Sequence, residues 1–277
     1  MRFPFVFSPA LLIVLFFFSG CSKTQKTNPH SALYTLVWED NFDGDSLDIS
    51  SWSYHLGTGA QYGLNGWGNN ELQYYTDRKD NVYLKDGYLV IEAKKEDFEG
   101  REYTSGKILT QNKHDWLYGK VEVRAKLPET QAIWPAIWML PTKNEYGWWP
   151  ASGEIDIMEL LGHQPDTVYA TIHYGNSFED RGHNTGKYYL TNSSFAEDFH
   201  TYAIDWEPGI ITWFIDGEKY HQADTTAIKP FKWPFDKSFY LILNVAVGGN
   251  WPGNPDSSTM LPQKMLVDYV KVYSRNK

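Results

Sequence analysis

From Leu33 onward, apolar residues alternate with polar ones far more often than they recur at helical spacing. In Lys120–Leu127, Val121, Val123 and Ala125 alternate with Glu122, Arg124 and Lys126, the pattern of a strand with one buried face. Asn81–Lys85 and Tyr88–Ala93 flank an Asp86-Gly87 pair, and Ile210–Ile215 and Glu218–His221 flank Asp216-Gly217. Such Asp-Gly links predict two-residue hairpins, because both residues tolerate the positive φ angles of a type I′ turn. Val168–Tyr174, Thr201–Trp206, Tyr240–Val247 and Met265–Tyr273 are further short runs rich in β-branched and aromatic residues. No stretch sustains a capped helical period. Many short strands separated by Gly, Asn and Pro predict an all-β chain, folded as a β-sandwich or jelly roll.

The N-terminal segment breaks this pattern. MRFPFVFSPALLIVLFFFSG carries one charge, Arg2, and then an apolar run that ends in small residues. It is short for a membrane span and reads as a secretory signal over residues 1–20. The junction Phe18-Ser19-Gly20-Cys21 resembles a bacterial lipobox, with Phe18 where Leu is commoner. The expectation is cleavage before Cys21 and lipidation of that cysteine; the alternative is an ordinary signal cut near Gly20 that leaves a free thiol. Ser22 to Ser31 is polar and aperiodic, so residues 21–32 are expected to tether the lipid to a single domain, residues 33–277. The protein is then exported and held at a bacterial membrane, on the outer membrane or cell surface.

Composition narrows the class. With 277 residues, 42% of them hydrophobic, the chain can bury one large core. A single cysteine excludes an internal disulfide framework and a Cys-rich zinc site. Acidic side chains number 34 against 25 basic ones, and the net charge of −9 argues against a nucleic-acid partner. Aromatic residues reach 17%, with 12 Trp, more than packing requires; they predict flat surfaces that stack a neutral ligand such as a glycan. No H-E-x-x-H zinc motif, G-x-S-x-G elbow or Walker loop is present.

The chemistry concentrates in Gly153-Glu154-Ile155-Asp156-Ile157-Met158-Glu159-Leu160. Strict alternation puts Glu154, Asp156 and Met158 on one face of a strand, and Ile155, Ile157 and Glu159 on the other. A β-bulge at Ile157–Met158 inserts one residue and returns Glu159 to the face of the other two acids. Three crowded carboxylates repel one another, a cost that structure alone avoids. Retaining glycosidases need such crowding: one carboxylate attacks the anomeric carbon while another, ~5–5.5 Å away, protonates the leaving oxygen. Two strand repeats span ~13 Å and one spans ~6.6 Å, so a contracted bulge suits the requirement. The alternatives are an acidic edge strand that blocks aggregation, or an oxygen-ligand metal site.

From Leu36 to Tyr273 the chain resembles glycoside hydrolase family sixteen. Glu154–Glu159, E-I-D-I-M-E, is similar to the bulged form of that family's catalytic motif, found in its laminarinase, agarase and carrageenase branch. Asn65–Thr76 (NGWGNNELQYYT), Tyr103–Gly106 (YTSG), Trp134–Pro141 (WPAIWMLP) and Leu243–Trp251 (LNVAVGGNW) look like laminarinase segments. The resemblance implies a concanavalin-like jelly-roll sandwich with a concave substrate cleft. It implies Glu154 as nucleophile, Glu159 as general acid/base and Asp156 as their electrostatic helper. It also implies that Trp134 and Trp138 line the cleft, although an arbitrary Trp pair more often packs in a core. Asn69, Asn70 and Arg78 could supply hydrogen bonds to sugar hydroxyls, with Arg78 equally suited to a surface salt bridge. Trp148 is expected at the cleft rim, and His173, in Thr171-Ile172-His173, at Asp156 or the substrate.

The expected activity is retaining endo-cleavage of β-1,3-glucan by a monomer that needs no catalytic cofactor. A β-1,3-1,4-glucanase, another family activity such as an agarase, and a non-catalytic surface glycan-binding protein are the alternatives. Relatives also hold a structural calcium; the matching positions here are Glu39, Gly87 and Asp268.

Overall fold

The structure is a computed structural model and describes Met1 and residues 33–276. Apart from Met1, the expected signal, the 21–32 tether and Cys21 lie outside the described residues. Seventeen strands follow one another in the described chain. The first nine are β1 (Tyr34–Asp40), β2 (Ser53–Tyr54), β3 (Gln73–Tyr75), β4 (Val82–Lys85), β5 (Tyr88–Phe98), β6 (Arg101–Ser105), β7 (Lys107–Leu109), β8 (Gly119–Lys126) and β9 (Ile133–Pro141). The remainder are β10 (Glu154–Leu160), β11 (Thr167–Gly175), β12 (Arg181–Tyr189), β13 (His200–Glu207), β14 (Ile210–Ile215), β15 (Glu218–Asp224), β16 (Phe239–Val247) and β17 (Gln263–Arg275).

These strands form two sheets, the jelly-roll sandwich expected from the pattern. A ten-stranded sheet runs β15-β14-β13-β8-β17-β5-β6-β3, with β1 added on β17 and β4 on β5. A seven-stranded sheet runs β12-β11-β10-β9-β16-β7-β2. Both Asp-Gly links make the expected turns, with φ of 54° and 79° at Asp86-Gly87 and 50° and 82° at Asp216-Gly217. In β8, Val121, Val123 and Ala125 are buried and the charged residues between them are half-buried, as the alternation requires.

Two strands escape the alternation rule. β9, IWPAIWMLP, is apolar on both faces because each face is covered: one by the core, the other by aromatic residues of the cleft. β12, RGHNTGKYY, has no β-type pattern, yet it pairs with β11 from Thr167↔Tyr189 to Gly175↔Arg181. As an edge strand it is held chiefly by its ladder, with Tyr188 packing against the main core. The main core lies between the sheets, with Ile155, Met158 and Leu160 of β10 meeting Trp206, Ile211 and Trp213 of the opposite sheet. A second, smaller apolar cluster of Leu109, Tyr240, Ile242, Trp138 and Leu140 lies apart from it, on the seven-stranded sheet.

Candidate active site

β10 starts abruptly. Gly153 has φ +85°, and a Cβ there would stand 2.7 Å from the Phe235 ring, so only glycine fits at the entry to the strand. Pairing then proceeds Glu154↔His173, Ile155↔Ile172 and Asp156↔Thr171 before slipping to Glu159↔Tyr169. On the other side Asp156 opposes Trp138 and Met158 opposes Ile137, so one extra residue is inserted at Ile157–Met158. The bulge sends Met158 into the core and brings Glu159 round to the face of Glu154 and Asp156. Its backbone is anchored from the opposite sheet, where buried Trp213 donates its indole N–H to the Asp156 carbonyl at 2.8 Å.

The register defines the face around these acids. One row across the sheet reads Lys107, Asn244, Ala136, Glu159, Tyr169 and Lys187. The next reads Leu109, Ile242, Trp138, Asp156, Thr171 and Thr185. Small Ala136 between two polar residues leaves the floor of a groove, and Trp134 and Trp138 rise on either side of it along β9. Both indoles are tied down: Trp134 Nε1 donates to Glu159 Oε1 at 3.0 Å, and Trp138 Nε1 donates to Asn244 Oδ1 at 2.7 Å. The Trp pair thus serves cleft and packing together, since Trp138 also covers the small apolar cluster.

His173 Nε2 lies 3.3 Å from Asp156 Oδ2 and 3.6 Å from Glu154 Oε1. The approach to Asp156 is that of an ion pair without hydrogen-bond alignment, and Asp156 Oδ2 has no other donor. Burial opposes the imidazolium, but Asp156, Glu154 and Glu159 outweigh it and raise the His173 pKa to about 9. Burial, then the Asp156 charge, pushes Glu154 up to about 7, while His173, Lys107 and the Trp149 side chain pull it back. Burial and Asp156 push Glu159 well above the usual carboxylate range, with Glu154 adding to the rise. The arrangement thus raises both glutamates above the usual carboxylate range and sets a histidine of raised pKa against Asp156 and Glu154.

Glu154, Asp156 and His173 also offer three ligand atoms within 4.8 Å of one another, the metal-site alternative in its most concrete form.

The other expected residues are spread more widely. Asn69 and Asn70 lie on a loop docked to the one carrying Asn250: Asn69 reaches toward Glu71 at 3.5 Å, and Asn70 Nδ2 donates to Asn250 Oδ1 at 2.8 Å. Trp148 stands almost free at 83% exposed, while Trp149 touches the His173 ring at 5.9 Å. Of the two roles expected of Arg78, the structure shows the salt bridge. Its guanidinium is engaged by Glu96, Asn81 and Thr104 and covered by the Phe98 ring at 4.3 Å, a structural cluster outside the carboxylate group.

The calcium positions do not form a ready cage either. Glu39 pairs with Lys271 at 3.6 Å, Asp268 is held by Arg124 at 2.5 Å, and Gly87 sits in the β4–β5 turn. Both carboxylates already have a cation, and no step below passes through a metal.

Sequence reasoning missed a polar group beside the cleft: Glu71, Gln73, Tyr75, Lys107 and Asn244. Gln73 donates to Glu71 at 2.7 Å, and Asn244 Nδ2 donates to the Tyr75 hydroxyl at 3.1 Å. The available signal was a set of buried polar residues inside otherwise apolar strands.

A two-sheet sandwich with paired, unequally titrating carboxylates on one face is the site of a glycoside hydrolase. The chain belongs to glycoside hydrolase family 16: the family model "Glycosyl hydrolases family 16" matches residues 69–271. It is 42% identical over 264 residues to a beta-glucanase of Rhodothermus marinus, covering 92% of this chain and 88% of that one. It is 40% identical over 264 residues to a glucan endo-1,3-beta-glucosidase of Cryptopygus antarcticus, covering 88% and 93%. Among solved structures, the laminarinase catalytic domain of Thermotoga maritima superposes with a TM-score of 0.82 at 43% identity, covering 88% of this chain and 99% of that one.

Proposed function

We propose that this protein is an endo-β-glucanase that cleaves internal β-1,3-glucosidic bonds of laminarin-type glucans with retention. The observation that carries the reading is the β10 bulge, which sets Glu154 and Glu159 on one face, where burial and the Asp156 charge raise both carboxyls. Glu154 attacks the anomeric carbon, and Glu159 gives its proton to the departing glycosidic oxygen. The glycosyl ester on Glu154 is then opened by water, whose proton passes to the Glu159 carboxylate and whose oxygen bonds to the anomeric carbon. Asp156 raises both glutamates, and His173 tempers that rise. Trp134 and Trp138 stack the sugar faces, Asn69 and Asn70 face its hydroxyls, and Trp148 extends the rim.

A protein that only binds glycans needs the aromatic walls but not three adjacent carboxylates. Reducing-sugar release from laminarin, lichenan and agarose, measured side by side, tests the assignment. Release chiefly from laminarin is expected; release chiefly from lichenan or agarose moves the specificity, and binding without release on all three leaves the binding-protein reading.

The remaining parts of the reading rest on sequence. The protein is exported, lipidated at Cys21 and held at a bacterial membrane or cell surface, and it acts as a monomer. Cys21→Ala should release it from membranes, and a wild type that is fully soluble without a lipid adduct overturns the anchor. A structural calcium at Glu39, Gly87 and Asp268 has to displace two ion pairs; a melting midpoint unmoved by chelator removes it from the account.

A further inference from the structure

The buried polar group beside the cleft has a property that packing alone does not require: its hydrogen bonds each have a fixed direction. The Trp138 indole N–H can only donate, and it donates to Asn244 Oδ1 at 2.7 Å. Asn244 therefore turns its amide nitrogen the other way, and Nδ2 donates to the Tyr75 hydroxyl oxygen at 3.1 Å. That oxygen is then an acceptor, so the Tyr75 hydrogen goes to its other neighbour, Glu71 Oε2, at 3.4 Å. The same carboxylate oxygen takes the Gln73 amide at 2.7 Å, and Gln73 Oε1 accepts the Val247 N–H at 2.8 Å. Glu71, Gln73, Tyr75 and Asn244 are all buried, so solvent does not stand in for a lost partner. The chain of bonds runs from β3, at the end of the ten-stranded sheet, through β16 to β9 in the seven-stranded sheet.

Resting on the catalytic reading above, we propose that Tyr75 is a positioning residue for the sugar-stacking Trp138, acting through Asn244. Trp138 is half-buried on the cleft face, opposite Asp156 in the ladder between β9 and β10. The Lys107 ammonium lies over its ring at 4.8 Å, but a cation over a ring face lets the ring turn in its own plane. A bond at Nε1 does not, and Asn244 makes that bond. The amide could present either end to the indole. With Glu71 taking the hydroxyl hydrogen, Tyr75 offers an acceptor, and one orientation of the amide satisfies both neighbours. The reverse orientation sets the Asn244 NH2 against the indole N–H, two donors facing each other. The Tyr75 ring is itself fixed, since it is fully buried and meets Trp67 at 5.4 Å. A hydroxyl beyond the reach of any sugar thus sets the angle of a wall that meets one.

The test is a double-mutant cycle on laminarin between Trp138→Ala and Tyr75→Phe, which removes the hydroxyl and keeps the ring. Tyr75→Phe alone should lower kcat/KM about three- to tenfold, the size of one lost buried hydrogen bond. In the Trp138→Ala background the same change should cost less than about twofold, because the ring it orients is gone. A loss of equal size in both backgrounds means that Tyr75 acts on something other than Trp138 and overturns the proposal. A lower melting midpoint with unchanged kcat/KM makes the hydroxyl purely structural and does the same. If either variant does not fold, a cycle between Asn244→Ala and Trp138→Phe, read in the same way, decides. If the wild type binds laminarin oligosaccharides without cleaving them, the catalytic reading fails, and the same cycle in calorimetric dissociation constants decides on Tyr75. A wild type that does neither overturns both.

Discussion

Each sheet carries a bulge that turns an acid onto its outer face, and the two acids meet opposite company. In the ten-stranded sheet β17 slips register between Val267 and Tyr269, and Asp268 emerges against Arg124 at 2.5 Å. Around it Lys120 pairs with Glu122 at 2.5 Å and Lys271 with Glu39 at 3.6 Å. In the seven-stranded sheet the β10 bulge brings Glu159 beside two more acids, with one imidazolium at close range. The first arrangement gives each acid a cation partner; the second pushes two glutamates upward. Partly exposed pairs such as Arg124–Asp268 are worth about 0–1 kcal/mol, so the first face is tidy without being decisive for stability. The second face gives up stability, since its buried carboxyls are raised by their surroundings. The same backbone device thus leads to paired charges on one side of the sandwich and to crowded acids on the other.

The largest effect should come from the carboxylates themselves. Glu154→Ala and Glu159→Ala should each lower glucan hydrolysis by more than ~10³-fold, whereas Asp268→Asn should leave turnover unchanged. Azide separates the roles. With an aryl glycoside that needs no acid, Glu159→Ala should accumulate glycosyl-enzyme and yield the β-azide. Glu154→Ala should instead give the α-azide by direct attack. NMR of the products reads the anomer, and the same anomer from both variants would falsify the assignment.

The next effect is on stability and depends on pH. Glu154 and His173 both bind their protons more tightly when folded. The stabilising contribution from Glu154 is full below its ordinary value of 4.5 and is lost as pH rises to about 7. For His173 it is full below 6.5 and is lost as pH rises to about 9. Stability from this site therefore falls with rising pH between those limits. Glu154→Gln should gain on the order of 1–3 kcal/mol relative to wild type between pH 5 and pH 8. Asp268→Asn should instead change little across that range. Denaturant midpoints at the two pH values check it; a parallel response in both variants would mean the cleft stores no such cost.

Most of this was legible from residue order. The hairpins followed from Asp-Gly pairs, β8 from its alternation, and the β10 bulge from the problem of placing three acids on one face. What was not legible had a physical reason. β12 has no fully buried residue and is held chiefly by backbone pairing, which leaves little side-chain pattern. Arg78 reads as a substrate contact until Glu96, eighteen residues away in sequence, is seen to hold it. Lys107 follows directly after the recognised Tyr103–Gly106 segment, but its burial depends on Trp67, Tyr75 and Trp138, distant parts of the chain brought together by the fold. The fold of one strand is local information. The field at one atom is not.

Trp138→Ala should weaken transition-state binding by ~1–3 kcal/mol, seen as a fall in kcat/KM, through lost stacking and the freed Asn244. Because the indole also covers the Leu109–Tyr240–Ile242 cluster, the melting midpoint should drop as well.

The smallest effect separates the floor of the cleft from its rim. Trp148 is 83% exposed, so its indole contributes almost no folding energy, and removing it opens no cavity. Trp148→Ala should therefore melt like wild type. If a glucan chain reaches the rim, the indole is desolvated only in the complex, and its loss should appear in KM alone. About a two- to fivefold rise is expected on long laminarin, corresponding to less than ~1 kcal/mol of stacking. A short aryl glycoside that ends before the rim should show no change, which distinguishes a stacking contact from a general disturbance of β10 through the adjoining Gly153 turn. Equal losses on long and short substrates would place the effect at the carboxylates, and the rim would then be a consequence of loop folding with no part in binding.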